Sequence, residues 1–188
     1  GGSLLCSTQS IDGQAPSQWV EKTVAQLSEM DNVMLLPRST VFGYYDHNLV
    51  GINERRTDHL GEHQLQSTRQ RVHKVRAKQV ILATGAHERP LVYGNNDVPG
   101  CMVANAVSTY INRYSVAPGN ELVLMTTNDS GYQAALDWHD AGRKVVAIVD
   151  TRQNPKGDRV EAARQRGLNL ITGSAVIEVQ GSKRVSGV

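Results

Sequence analysis

The part of this 188-residue chain best equipped for chemistry is ELVLMTTNDSGYQAALDWHDAGRKVVAIVD, residues 121–150. A dinucleotide is held by an apolar strand, a tight turn, a helix N-terminus aimed at the diphosphate and a second strand. An acid at the end of that second strand takes a ribose hydroxyl. Thr126, Asn128 and Gly131 stand at the G-x-G-x-x-G spacing, and Asp150 supplies the acid, 24 positions after Thr126. Two of the three glycines are therefore replaced, and a Cβ at Thr126 and Asn128 crowds the space a diphosphate needs. Two readings stay open: a modified dinucleotide site, or a domain that keeps the fold without the ligand, with Asp129 and Ser130 as capping residues. In an occupied site Asp150 favours NAD over NADP by repelling a 2′-phosphate, an effect that Arg152 opposes.

A second segment, KQVILATGAHERP (residues 78–90), reads as an apolar strand ending at Thr84-Gly85. Small residues at such a strand end let the backbone approach a cofactor, although a buried strand before a glycine turn is also common in domains without one. The six histidines form neither H-x-H nor H-E-x-x-H. His59 and His63 are four apart, but Gly61 between them points to a loop, so no metal site is expected. His87-Glu88-Arg89 reads as a solvated crossover turn. The basic run Arg69, Arg71, His73, Lys74, Arg76 and Lys78 alternates with Val72, Val75 and Ala77 and lacks aromatics, which fits a solvated strand face.

The elements that would position these residues change character along the chain. Residues 17–30 have the apolar stripe of a helix, with Ser17 as candidate N-cap, and Val33–Leu36 reads as a short strand. Residues 39–45 and 48–56 flank a turn at Asp46-His47, and 69–76 is a further amphipathic strand. Prolines and glycines cluster in 86–100, where the domain boundary is placed. A helix over 102–114 follows. Strand, helix, strand, helix and strand then alternate through 121–172, the mark of a parallel sheet, and a hairpin around Gly181 ends the chain. The expected fold class is α/β: residues 1–90 form part of a FAD/NAD(P)-binding Rossmann-like domain with a β-meander. Residues 91–188 form a second βαβαβ nucleotide-binding-type domain, truncated at its C-terminus.

Composition sets the outer limits. Twenty Lys and Arg against 18 Asp and Glu leave a net charge of +2, and aromatics are 5% with a single Phe. Nothing there suggests nucleic acid as a partner. No apolar run approaches the roughly 20 residues a membrane helix needs. Cys6 and Cys101 form no C-x-x-C, so the expected setting is reduced and cytoplasmic, and a freestanding flavoprotein reductase lacks its dithiol.

The strings LLPRSTVFGYYDHN, RTDHL, ATGAHERPLVYGNNDVPG, VSTYINRYSVAPGN and TTNDSGYQAALD together resemble the alpha subunit of heterotetrameric sarcosine oxidase, from GGSLL to VVAIVDTR. Opine, proline and cyanide-forming dehydrogenase subunits share the fold. The resemblance implies a piece of a much longer polypeptide, with the first GxGxxG unit lying before Gly1. It also implies NAD in the alpha subunit, with Gly1, Gly2 and Ser3 near its ribose and diphosphate. Thr40-Val41 would meet the adenine through backbone, and Thr84-Gly85 would close the pocket. FAD, FMN and tetrahydrofolate would lie outside this chain or at its interfaces. The partners implied are the beta, gamma and delta subunits. The implied reaction is oxidative demethylation of sarcosine to glycine, giving hydrogen peroxide and 5,10-methylenetetrahydrofolate, with no turnover by this stretch alone. The other reading is a structural module that docks partner subunits.

Overall fold

The computed structural model describes Gly2, Leu4, Ser7, residues 10–60 and residues 68–188. The chain divides into two compact units, one of residues 20–85 and one of residues 1–19 with 86–188. Helix α1 (Pro16–Ser28) runs across the division. It begins at Pro16 rather than after Ser17: proline suits a first helical turn because its missing N–H would have no partner there.

The unit 20–85 is built on an antiparallel meander of β1 (Ser39–Tyr45), β2 (Leu49–Arg55) and β3 (Gln70–Arg76), in that order. A single 3₁₀ turn at Asp46–Asn48 joins β1 to β2, with His47 and Asn48 both at positive φ. Asn48 anchors the turn: its side chain accepts from Tyr44 Oη at 2.7 Å and donates to the Lys78 carbonyl at 3.1 Å. The β1–β2 register slips between Val41 and Gly43, leaving Phe42 as the bulged residue. The Phe42 ring lies over Gly51, where a Cβ would stand 2.7 Å from its tip, so the glycine makes room for the ring.

Two expected strands are absent. Residues 33–36 and 78–84 belong to no sheet, and Ile81 and Leu82 are 89% and 74% exposed. Strand structure is a property of pairing, and among the described residues no strand pairs with either segment.

The larger unit carries the expected alternation. Helix α2 (Ala104–Tyr114) precedes β4 (Glu121–Thr126), α3 (Asp129–Asp140), β5 (Lys144–Asp150), α4 (Asp158–Gln165) and β6 (Leu170–Thr172). The three strands form a parallel sheet in the order β4-β5-β6. A short antiparallel pair, β7 (Gln180–Gly181) and β8 (Val185–Gly187), follows. Helix α2 stops at Ser115, which takes a left-handed conformation and donates back to the Ile111 carbonyl. The mixed α/β class, with parallel and antiparallel sheets, is as expected.

Helix α3 organises the core. Tyr132, Ala135 and Leu136 pack with Leu124, Ile148, Val160 and Ala163 over the sheet. Ala134 and Trp138 pack instead with Val107 of α2. Adjacent alanines let α3 press against two layers at once. Ile148 has no solvent exposure at the centre of the sheet. Ile148→Ala is expected to destabilise the protein by about 2–5 kcal/mol, because the rigid strands around it cannot close the cavity. Urea unfolding followed by circular dichroism checks this, and a loss below about 1 kcal/mol would show that the site collapses.

Candidate functional site

The structure brings together Thr126, Asn128, Gly131 and Asp150 of the G-x-G-x-x-G-like segment. Thr126 ends β4 and lies directly opposite Asp150, which ends β5. Asn128 is the N-cap of α3. Its Oδ1 accepts from the Ser130 backbone N at 2.9 Å and from Ser130 Oγ at 2.6 Å. Its carbonyl accepts from Thr126 Oγ1 at 2.7 Å. A Cβ on Gly131 would stand 2.5 Å from Thr126 Oγ1. The space that glycine leaves is therefore filled by Thr126 of the same turn. Gly131→Ala is expected to cost about 1–3 kcal/mol by overpacking, and distinctly less in a Thr126→Ala background. Equal costs in the two backgrounds, read from chemical denaturation, would show that Thr126 is not the obstacle.

Asp150 has no solvent exposure, yet its carboxylate is fully engaged. Oδ1 accepts from the Arg152 backbone N at 2.9 Å and from Arg152 Nε at 3.0 Å. Oδ2 accepts from Tyr132 Oη and from Arg152 Nη2, both at 2.8 Å. Arg152 Nη1 reaches on to Asp129 Oδ1, also at 2.8 Å. Burial pushes the Asp150 carboxyl up, but the hydrogen bonds from Arg152 and Tyr132 outweigh it and hold the group below the ordinary carboxylate value. The Tyr132 phenol is pushed well up, by its own burial and then by donating to Asp150.

These shifts set two pH limits. A depressed carboxyl adds stability above its ordinary value of 3.8, and that stability is lost as pH falls through the folded value. A raised phenol adds stability that is complete below its ordinary value of 10.0 and is lost as pH climbs toward the folded value. Unfolding free energy, measured in urea from pH 3 to 11, is expected to fall at both ends. Tyr132→Phe should flatten the alkaline limb, and an unchanged limb would separate Tyr132 from it.

A cleft of about 370 Å³ lies on the Thr126–Gly131 turn. Its other walls include Ala86, His87, Glu88, Arg89 and Asn105. Glu88 accepts from the backbone N atoms of Ala104 and Asn105 at 3.0 and 2.6 Å. Its carboxylate thus caps the start of α2, complementing the partial positive charge there. Sequence reasoning takes this residue for part of a solvated turn, and with Glu88 lying 16 positions before Ala104 no local sequence signal ties it to the helix start. It also misses Tyr132, despite the place of that residue one position after Gly131.

Four of the other expected residues belong to the unit 20–85. Thr40 and Val41 lie on β1, both exposed, and Thr84 and Gly85 end the exposed segment in the same unit. Gly85 has φ +74°, and open space lies where a Cβ would project. Gly2 is exposed with open space around it, whereas Gly1 and Ser3 lie outside the described residues, as does His63. Among the described residues no group of three His, Cys, Asp or Glu side chains could hold a metal. Nor is any described helix long and apolar enough to cross a membrane.

The parallel β4-β5-β6 sheet with its helices, preceded in sequence by a meander, defines a mixed α/β protein. The L-proline dehydrogenase from P. horikoshii matches 85% of this chain and 30% of its own, with a TM-score of 0.57 and 20% identity. In sequence, the chain is similar over its whole length to a stretch of the sarcosine oxidase alpha subunit, as its motifs implied. The identity is 43% to those of Corynebacterium sp. (strain P-1) and Rhizobium meliloti (strain 1021), over 97% and 100% of this chain. The chain spans 19% and 18% of the length of those two relatives. An opine oxidase subunit of Agrobacterium tumefaciens (strain Ach5) is 28% identical over 74% of the chain and 27% of its own length. No family profile matches the chain.

Proposed function

We propose that this chain belongs to a sarcosine oxidase alpha subunit, where it contributes to an NAD site and to subunit contacts. The enzyme so formed would demethylate sarcosine to glycine, giving hydrogen peroxide and 5,10-methylenetetrahydrofolate. The observation that carries this reading is whole-length similarity at 43% identity to two proteins named as that subunit. The proposed organisation keeps two Rossmann-like domains, residues 1–90 as the remainder of the first and 91–188 as the second. FAD, FMN and tetrahydrofolate are assigned to other parts of the complex, whose beta, gamma and delta subunits are the proposed partners.

Within this chain we assign NAD to the first set of residues. Gly1, Gly2 and Ser3 would lie beside its ribose and diphosphate, and Thr40-Val41 would offer backbone groups to the adenine. Thr84-Gly85 would close the pocket. Open space where a Cβ would project from Gly85 fits that role. A bound NAD supplies a nicotinamide ring, a two-electron hydride acceptor. Similarity to the opine oxidase subunit supports a second reading, in which the same fold serves an opine-oxidising complex.

The test uses the alpha subunit carrying this stretch, assembled with its partners. Sarcosine should reduce the bound flavin and yield peroxide, and NAD should bind the complex. Gly85→Val should weaken NAD at least tenfold, which corresponds to about 1.4 kcal/mol, with the complex still folded. Reduction by an opine but not by sarcosine would select the second reading. Wild-type affinity in Gly85→Val would move NAD away from Thr84-Gly85.

A further inference from the structure

The carboxyl ends of β4, β5 and β6 are stitched to one another by the chain itself. Thr151 N donates to the Thr126 carbonyl at 3.1 Å, Gly173 N to the Arg152 carbonyl at 2.9 Å and Ser174 N to the Asp150 carbonyl at 3.2 Å. Over these contacts lies the Arg152 side chain, 33% exposed, with Nε, Nη1 and Nη2 all engaged by Asp150 and Asp129. Gly157, just before α4, completes the arrangement. Its φ is +132°, and a Cβ there would stand 2.4 Å from Asp129 Oδ2, so only glycine admits the Asp129 carboxylate.

In an α/β unit that binds a dinucleotide, the acid ending the second strand offers its oxygens to the ribose. Here each Asp150 oxygen already accepts two hydrogen bonds, and the guanidinium supplies one to each oxygen, so neither is free for a ribose hydroxyl. An arginine could instead invite the 2′-phosphate of NADP, but this one is paired with two carboxylates of its own chain. On the diphosphate side a cleft opens on the turn, but Thr126 packs against Gly131 and the Asn128 side chain is spent on capping α3.

We propose that Arg152 acts as an internal plug that denies the β4–α3–β5 unit to NAD and NADP alike. The Asp150–Arg152–Asp129 group is a clamp joining the end of β5 to the start of α3. This inference rests on the proposed NAD site and sharpens it: NAD binds without Asp150, through the Thr40–Val41 and Thr84–Gly85 set alone.

Two measurements on the assembled complex test it, in Asp150→Asn, Arg152→Ala and the milder Arg152→Lys. The first is the thermal midpoint without nucleotide. A clamp predicts losses of about 8 °C or more for Asp150→Asn and Arg152→Ala, and a smaller loss for Arg152→Lys, which keeps the charge but not the fork. An acid held in reserve for a ribose predicts no loss for Asp150→Asn, and that result would overturn the proposal. The second is the dissociation constant for NAD at a temperature where each variant is folded. Values within twofold of wild type support the plug, and a tenfold weakening in Arg152→Lys would sink it. Failure of the wild-type protein to bind NAD would remove the NAD assignment, while the thermal comparison would still decide whether Asp150 and Arg152 form a clamp.

Discussion

A carboxylate with no contact to water stays ionised only where fixed donors replace the water it has lost. Asp150 meets that condition four times over, through the Arg152 backbone N, two guanidinium nitrogens and the Tyr132 hydroxyl. Each donor is itself tied to an element of the larger unit. Tyr132 belongs to α3 and is fully buried in the core over the sheet. Arg152 lies in the connection to α4, and its second carboxylate partner, Asp129, opens α3. Removing one partner of a buried ion pair costs about 3–5 kcal/mol because it strands the other charge. The placement of α3 against the end of β5 therefore depends on this one cluster.

The two units differ in how their apolar residues are used. In the larger unit, Tyr132, Ile148, Val160 and Ala163 have no exposure and α3 is covered on two sides. In the unit 20–85, Val50, 8% exposed, is the one large apolar side chain that is buried among the described residues. Phe42, Tyr44, Tyr45 and Val72 of the meander are more than half exposed. An antiparallel meander can satisfy its backbone by itself, through pairing along β1, β2 and β3. A parallel sheet needs helices over its faces, which is why the strands with the most apolar runs, β4 and β5, occur where α3 and α4 are present.

Much of this was legible in the sequence. The alternation over 121–172 identifies the parallel strands because long apolar runs between glycine- and asparagine-marked turns admit few other arrangements. The meander is legible because Asp46-His47 interrupts two β-rich runs. KQVILAT misleads for a physical reason: an apolar run reports the capacity to be a buried strand, whereas strand structure requires a neighbour that sequence periodicity cannot supply. Val33–Leu36 fails on the same ground. At the site, the spacing of Thr126, Asn128, Gly131 and Asp150 correctly places these residues near one another. It could not show which atoms would satisfy them.

That last distinction turns on a short-range relation. An acid ending a β-strand can be read as a ribose ligand only if nothing nearby in the chain can reach it. Arg152 follows Asp150 by two positions, close enough for one arginine to donate both from its backbone N and from its guanidinium to the same carboxylate. A lysine there would offer a single ammonium and could not span Asp150 and Asp129 with a rigid fork. A tyrosine after the third glycine position adds the remaining donor from the helix side. Arg two residues after the acid and Tyr one after Gly131 are thus the residues that separate a self-satisfied strand end from one that needs a ligand. Thr126 and Asn128 at the first two glycine positions point the same way, because each carries a Cβ in space that glycine would leave open to a diphosphate.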